Sequence, residues 1–213
     1  MSKIKKLISA LLVLVMAIAP CAALAEETID STVTIVVPFA AGGTSDILAR
    51  ILSPHLTEAL GQDVIVENKP GAGGNLGADV VAHAEPDGTT LLLMDVGTLA
   101  ISPSLYELTY DPQTDLSAVS MIAFTPYILA VSPNLPVNSF EELAAYSKEH
   151  PGEVKVAHSG VGAGNHLTEL VLSEELGLEW KIVAYNGGSD AIRAVVSGEC
   201  DVILNGAAAT LPY

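Results

Sequence analysis

The stretch that decides the fold reads VTIVVPFAAGGTSDILARILSPHLTEAL over residues 33–60. It begins with five β-branched residues, Val33–Val37, which predict a buried strand. From Thr44 to Leu60 the apolar residues recur at helical spacing, which predicts a helix. The expected buried face of that helix consists of Ile47, Leu48, Ile51, Leu52, Leu56 and Ala59. Pro54 is expected to kink or shorten the helix, because proline cannot donate a hydrogen bond to the carbonyl of Arg50.

The rest of the chain repeats this alternation of short strands and helices. Further strands are predicted over residues 63–67, 90–95, 121–131, 154–157, 181–184 and 201–204, and a small-residue turn over 205–209. Further helices are predicted over residues 75–84, 140–150, 165–176 and 189–196. A capping box at Ser139 and Glu142 opens the second of these, and Gly177 closes the third. Strands that alternate with helices form parallel α/β sheets. Because strand follows strand near Phe124–Pro126, we predict one lobe over 26–125 and a second over 126–213.

The first 25 residues have the composition of a secretory signal peptide. Three lysines precede the apolar run Leu7–Ala19, and Ala23–Ala25 is a small-x-small cleavage site followed by two glutamates. The apolar run is too short to span a membrane comfortably. We therefore predict export with cleavage after residue 25, to the periplasm or another extracytoplasmic compartment. Lipidation of Cys21 is the alternative, but Pro20 fits badly in a lipoprotein cleavage box.

The charge of the chain excludes several classes of partner. Its 213 residues include nine basic and 25 acidic side chains, for a net charge of −16. Cleavage after residue 25 would remove three of the basic side chains and no acidic one, leaving −19. Such a surface repels phosphate backbones and anionic lipids, so nucleic-acid binding is not expected. After cleavage Cys200 would be the only cysteine, and it is expected to pack as a small apolar residue.

Two glycine-rich loops each join a predicted strand to a predicted helix. They read PFAAGGTSD over residues 38–46 and HSGVGAGNH over residues 158–166. In a parallel sheet such loops lie at the carboxyl ends of the strands, where ligands bind. Glycine lets the backbone approach a ligand, and a helix N-terminus offers free N–H groups and about half a positive charge. One such loop alone could be a tight turn, but two in series predict a binding site, and both loops suit an anionic head group.

Nucleotide, metal and catalytic motifs are weak. The segment GAGGNLG at residues 71–77 and the loop after residue 158 both miss the G-x-G-x-x-G register, and no P-loop lysine follows either. Possible metal ligands are His158, His166 and Glu169. His166 and Glu169 would lie on one helix face, but the sequence has no second pair at this spacing, so neither a metal nor a cofactor is expected. An exported esterase or amidase using Ser159 and His166 is the alternative function, although Ser159 lacks the G-x-S-x-G frame. A sensory or adhesion module is a third class that the sequence leaves open.

Several of these segments together resemble one protein family. The substrate-binding proteins of tripartite tricarboxylate transporters, the Bug family, have signatures similar to TIVVPFAAGGTSD at 34–46, VENKPGAGGNLG at 66–77, PDGTTL at 86–91 and the segment 159–167. The resemblance covers essentially all of residues 33–213. It implies an α/β, two-lobed periplasmic-binding-protein fold of the type II-like class, without cofactor or enzymatic activity. It also implies that a small carboxylate is held between the lobes, partly through ordered waters, and delivered to membrane permease subunits by a protein that is monomeric at full length.

The same loops indicate which residues line the ligand cleft. The expected ligand-binding residues are Phe39, Ala40, Ala41, Gly42, Gly43, Thr44, Asp46, Ser159, Gly160, Gly162, Ala163, Gly164, Asn165, His166 and Asn205. Backbone N–H groups should bind most of the anion, and Asp46 could instead only cap its helix.

Three departures from the family pattern stand out. The segment 163–165 replaces a serine-rich run, and Asn205 stands where an acidic residue is common. Family members also continue well beyond the equivalent of Tyr213. The fold is therefore expected to be incomplete at the C-terminus, and the 213-residue product to be poorly folded or inactive unless the missing part is supplied.

Overall fold

The computed structural model describes residues 31–213. The predicted signal peptide and the alternative lipidation at Cys21 lie outside the described residues. The first sheet contains β1 (Val33–Val37), β2 (Val64–Asn68) and β3 (Thr90–Leu92), all parallel, in the order β2-β1-β3. Its helices are α1 (Thr44–Leu60), α2 (Asn75–Ala82) and α3 (Val96–Leu105), with a 3-10 turn at Ala72–Gly74. Each parallel strand is thus followed by a helical segment.

The second sheet contains β4 (Tyr127–Val131), β5 (Lys155–His158), β6 (Lys181–Ala184) and β7 (Val202–Gly206), in the order β4-β7-β5-β6. Its helices are α4 (Phe140–Glu149), α5 (Gly164–Leu176), α6 (Gly188–Val196) and α7 (Ala207–Thr210). β5 is parallel to β6 and β7, but β4 is antiparallel to β7. The prediction of wholly parallel sheets is therefore wrong for this edge strand. β4 enters the sheet directly from residues 117–126 without a crossover helix, so parallel pairing is not required of it.

Both faces of the second sheet are covered by apolar side chains. Val202 of β7 packs into a cluster that includes Leu143 and Trp180, whereas Ile203 packs into a cluster formed largely by α6. Successive residues of a strand point to opposite faces, so β7 serves both clusters. Cys200 is buried in the α6 cluster, which confirms its predicted apolar role. No helix in the described part of the chain is long and apolar enough to cross a bilayer.

α1 buries its predicted face only in part, since Ile51 and Ala59 are exposed and the other predicted residues, Ile47, Leu48, Leu52 and Leu56, are half-buried. Its buried residues are Asp46 and Ala49, whereas Ile51 is 57% exposed. Further along this face, the hydroxyl of Ser53 donates to the carbonyl of Val64 at 2.5 Å and that of Thr57 accepts from the N–H of Val64 at 3.0 Å. The prediction, which relied on the spacing of large apolar residues, did not find this face because small and polar side chains pack the helix against β2.

Pro54 does not shorten α1, contrary to one of the two outcomes predicted for it. The helix runs from residue 44 to residue 60 with Pro54 inside it. Pro54 and Arg50 are both exposed, so water can satisfy the carbonyl that loses its hydrogen bond.

Several element boundaries also differ from the predictions. α3 was not predicted, because Gly97 and Pro103 oppose a helix; the carboxylate of Asp95 caps it by accepting from the N–H of Thr98 at 2.9 Å. The strand predicted over 121–131 is regular only in β4. The small-residue turn predicted at 205–209 is instead the end of β7 followed by α7.

Two predicted helix ends are confirmed. Ser139 accepts from the N–H of Glu142 at 3.1 Å, while Glu142 accepts from the N–H of Asn138 at 2.7 Å. Gly177 closes α5 in the left-handed conformation, with φ of 61°.

Candidate functional site

Four strand-to-helix loops meet at the carboxyl ends of the parallel strands. We call residues 38–43 after β1 the first loop, 159–163 after β5 the second loop, 71–74 after β2 the glycine turn, and 185–187 after β6 the third loop. The N–H of Ala40 in the first loop donates to the carbonyl of Asn186 in the third loop at 3.2 Å. The glycine turn lies against both the first and the second loop. The two sheets thus bring their loops to one place, as expected for ligand sites in α/β folds.

The glycine turn needs glycine for contact with its neighbours. A Cβ on Gly74 would lie 3.1 Å from Cζ of Phe39, and one on Gly160 would lie 3.2 Å from Cα of Gly73. A Cβ on Gly73 itself would collide with the carbonyl oxygen of Val161. That carbonyl also accepts from the hydroxyl of Tyr106 at 2.8 Å. Glycine at residues 73 and 160 therefore allows the backbones of the glycine turn and the second loop to touch, whereas Gly74 makes room for the side chain of Phe39; all three have positive φ.

Asp46 organises the first loop. Its carboxylate accepts from the N–H of Gly42 at 2.8 Å and from Arg50 at 2.9–3.0 Å. It also accepts from the side-chain amide of Asn68 at 2.9 Å, and the same amide donates to the carbonyl of Phe39 at 3.1 Å. Burial raises the pKa of Asp46, but these hydrogen bonds outweigh it and leave the pKa below its usual value. Both carboxylate oxygens are occupied, so Asp46 holds the first loop in place, and it does not cap α1, whose N-cap residue Gly43 has no side-chain cap.

Asn165 plays the corresponding part in the second loop. Its side-chain oxygen accepts from the hydroxyl of Ser159 at 2.8 Å and from the N–H of His166 at 3.0 Å. Its amide group donates to the carbonyl of Leu204 on β7 at 3.1 Å. Asn165 is buried, so these bonds tie the second loop and the start of α5 to the sheet.

Two neutral histidines form hydrogen bonds with the backbone of the second loop. The rings of His158 and His166 are 4.3 Å apart, and Nδ1 of His158 lies 2.8 Å from the carbonyl oxygen of Gly160. Nδ1 of His166 accepts from the N–H of Gly162 at 3.3 Å. Burial lowers the pKa of His158 to about 4 and also lowers the pKa of His166. Both rings are therefore neutral at neutral pH and position the loop through hydrogen bonds.

The first loop faces the N-terminus of α6. A Cβ on Gly43 would lie 4.0 Å from the backbone nitrogen of Gly188, and one on Gly187 would lie 2.8 Å from the nitrogen of Ala40. The N-cap residues of α1 and α6 are Gly43 and Gly187, and neither has a side chain that could cap its helix. The first turns of both helices thus have no side-chain cap, and the two N-termini lie next to each other.

Three side chains at this junction carry buried polar atoms without hydrogen-bond partners among residues 31–213. They are Oγ1 of Thr44, Oγ of Ser189 and Nδ2 of Asn205. A Cβ on Gly188 would lie 2.5 Å from Oδ1 of Asn205, and one on Gly42 would lie 3.5 Å from Cβ of Ser189. Unpaired buried polar groups are rare in folded proteins and call for an explanation.

A further unpaired group lies behind the second loop. Glu169 is completely buried on α5, and neither carboxyl oxygen has a hydrogen-bond partner among the described residues. Burial raises its pKa to about 8, although the backbone of Leu204 offsets part of the rise without reaching hydrogen-bonding geometry. Glu169 is therefore protonated at neutral pH.

The predicted site residues all lie in the converging loops or next to them. Ala40, Gly42 and Gly43 lie against the third loop and the start of α6, and Asn205 reaches Gly188. Phe39 and Gly160 lie against the glycine turn, whereas Gly162 and Gly164 lie against Tyr106 and Tyr127. The sequence prediction missed Ser189, Gly73 and Tyr106. The signal for Ser189 was present, because Asn186-Gly187-Gly188 is a third glycine-containing link between a strand and a helix.

The alternative hydrolase finds little support in this geometry. The hydroxyl of Ser159 donates to Asn165, and no hydrogen bond joins it to His166 within residues 31–213. A nucleophile and its base must lie within hydrogen-bond reach. In the same residues, no group of three His, Cys, Asp or Glu side chains is arranged to hold a metal ion.

Known proteins resemble this chain in sequence. The family described as "Tripartite tricarboxylate transporter family receptor" matches residues 48–213. Protein BugT of Bordetella pertussis is 36% identical over 168 residues, which cover 78% of this chain and 52% of BugT. The chain spans about half the length of the curated relatives it matches.

Solved structures resemble it in fold. The periplasmic binding protein BugD is 35% identical with a TM-score of 0.82, over 86% of this chain and 61% of BugD. Rpa4515 of R. palustris, solved with adipate, is 33% identical with a TM-score of 0.83, over 86% of this chain and 62% of Rpa4515. MatC from Rhodopseudomonas palustris, with bound malate, is 34% identical with a TM-score of 0.80, over 86% of this chain and 63% of MatC.

These likenesses confirm the predicted α/β fold of periplasmic binding proteins. The family match covers residues 48–213, which include the glycine turn, the second loop and the third loop but not the first loop. The chain belongs to the Bug family of tripartite tricarboxylate transporter receptors, which are solute-binding proteins rather than enzymes.

Proposed function

We propose that this chain captures a small carboxylate outside the cytoplasm and delivers it to the permease subunits of a tripartite tricarboxylate-type transporter. The observation that carries the proposal is the meeting of the first and third loops at two helix N-termini that no side chain caps. Such termini attract anions through free N–H groups and the helix dipole. Relatives solved with adipate and malate support a carboxylate as the ligand class.

The cellular location of the protein and its transporter partner are parts of the same proposal. The signal peptide predicted in residues 1–25 supports export to the periplasm. The family description supports a transporter as the partner. The receptor acts as a monomer that carries one ligand to the membrane.

A ligand screen tests the proposal. We expect organic acids to raise the melting temperature of the purified protein, extended at its C-terminus to the length of its relatives, because a ligand that binds only the folded state stabilises it. Sugars should leave the melting temperature unchanged, since they carry no negative charge for the two helix N-termini to attract. Stabilisation by sugars alone, or by no organic acid, would contradict the proposal.

A pair of variants then tests the location of the site. Gly160→Val places a side chain against Gly73 at the second loop and should abolish carboxylate binding measured by calorimetry. Gly61→Val is the matched control, because Gly61 also has positive φ but a Cβ there would contact nothing within 4 Å. Equal affinities of the two variants would show that the second loop is not part of the site.

A further inference from the structure

Tyr106 follows α3 and reaches across to the second loop. Its hydroxyl donates to the carbonyl of Val161 at 2.8 Å, although 55 residues separate the two in sequence. A Cβ on Gly73 of the glycine turn would lie 2.8 Å from the same hydroxyl. One on Gly162 of the second loop would lie 3.6 Å from Cε2 of the tyrosine ring. The side chain of Tyr106 therefore lies between the glycine turn and the second loop, against both of them.

The backbone around Tyr106 is held by the elements of the first sheet. Its N–H donates to the carbonyl of Ser102 in the last turn of α3 at 2.9 Å. Four residues further on, the hydroxyl of the buried Tyr110 donates to Oδ1 of Asn75, the first residue of α2, at 3.0 Å. The two tyrosines thus donate in the same way, but to different parts of the molecule. Tyr110 bonds to an element of the first sheet, whereas Tyr106 bonds to a loop of the second.

Loops that touch must part before a ligand can pass between them. The N–H of Ala40 in the first loop donates to the carbonyl of Asn186 in the third loop at 3.2 Å. Gly160 of the second loop lies against Gly73 of the glycine turn. When the loops part, the hydrogen bond of Tyr106 breaks, because its donor stays with the first sheet and its acceptor with the second. Donor and acceptor then bind water instead, so the bond favours the joined loops by the modest net value of one hydrogen bond.

We propose that Tyr106 is a positioning residue that keeps the loops of the two sheets joined around a bound ligand and thereby sets the rate at which the ligand leaves. This inference rests on the proposed function and concerns the same site. Tyr106 acts through the carbonyl of Val161 and not through the ligand. A residue that contacts the ligand changes the preference among ligands, whereas a bond between the loops slows the release of every ligand by the same factor.

The test is Tyr106→Phe, which removes the hydroxyl and keeps the ring. Dissociation rates are measured on the protein used in the ligand screen, by chasing radiolabelled ligand with an excess of the unlabelled acid. The ligands are malate and adipate, with which two relatives were solved, and another acid from the screen replaces either one that does not bind. We expect both dissociation rates to rise about three- to tenfold, as for the loss of one hydrogen bond. The two factors should agree within about twofold, although the acids differ in length.

Tyr110→Phe is the matched control. It removes the same hydroxyl from a more buried position, but from a bond within the elements of the first sheet. It should lower the melting temperature and leave both dissociation rates within about twofold of wild type. A residue with only a structural role would behave as Tyr110 does, so the dissociation rate separates the two roles.

The outcomes distinguish this inference from the proposed function. Unchanged dissociation rates in Tyr106→Phe, or rates that rise by clearly different factors for the two acids, would overturn the positioning role and leave the receptor intact. An equal rise in Tyr110→Phe would also overturn it, since the cause would then be a general loosening of the fold. Failure of wild type to bind any organic acid would instead overturn the proposed function. A matching rise for both acids in Tyr106→Phe alone would support the positioning role.

Discussion

Glu169 should make the stability of the protein fall as the pH rises. Its carboxyl is completely buried, lacks a hydrogen-bond partner among the described residues, and has a pKa of about 8 against an ordinary 4.5. Below pH 4.5 the folded and unfolded states both hold the proton. Between the two pKa values only the folded state holds it, so unfolding releases a proton and the free energy of unfolding falls with pH.

The magnitude of this change in stability follows from the pKa shift of Glu169. One pKa unit corresponds to about 1.36 kcal/mol, so the group removes roughly 5 kcal/mol of stability between pH 4.5 and pH 8. About 3 kcal/mol of this is already lost at pH 7. Since whole domains are stable by only about 5–15 kcal/mol, the effect should dominate the alkaline side of the stability profile.

Glu169→Gln keeps the shape of the side chain and removes its titration. We expect the free energy of unfolding of the variant minus that of wild type to rise by roughly 5 kcal/mol from pH 4.5 to pH 8. Urea unfolding can be followed through Trp180, the only tryptophan, which is buried and donates to the hydroxyl of Ser147 at 2.9 Å. Glu174→Gln removes an exposed carboxyl from the same helix and is the matched control. A difference curve for Glu169→Gln no steeper than that of the control would refute the reasoning.

Two further predictions concern the second loop. Burial lowers the pKa of His158 from 6.5 to about 4, so its contribution to stability is complete above pH 6.5 and about 3 kcal/mol is lost as the pH falls to 4. His158→Gln should therefore make the free energy of unfolding, measured in urea, depend less on pH between 6.5 and 4. An unchanged pH dependence would contradict this prediction. Gly73 and Gly61 both have positive φ, but only a Cβ on Gly73 would strike the second loop, at Val161. Gly61→Ala should therefore cost about 1–2 kcal/mol without changing ligand affinity, whereas Gly73→Ala should cost more and weaken carboxylate binding; equal melting temperatures and affinities would rule this out.

Patterns of neighbouring residues correctly predicted much of the secondary structure. The β-branched run Val33–Val37 and the spacing after Thr44 correctly predicted β1 and α1, because strand and helix periodicities depend on neighbouring residues alone. The caps at Ser139 and Gly177 were readable for the same reason, since a cap is completed by residues within one turn of it. The lobe boundary predicted near residue 125 stays a prediction.

Sequence patterns gave wrong predictions where contacts between distant segments determine the structure. α3 forms despite Gly97 and Pro103 because it is capped and packed in place, and α1 turns Ala49 rather than Ile51 inward because its partner is β2. No periodicity reveals in advance which of several polar side chains will be enclosed without a partner.

The sequence by itself determined the family, the order of the seven strands, five of the helices and the two glycine-rich loops, because each is encoded in short stretches of chain. Tertiary structure alone decided that α6 meets α1 at the first loop and that Glu169 is enclosed. It also decided that Oγ of Ser189 and Nδ2 of Asn205 are buried there without a partner among residues 31–213. These features depend on which segments far apart in sequence come together. Burial and low dielectric, which set the chemistry of the site, exist only after those segments have packed.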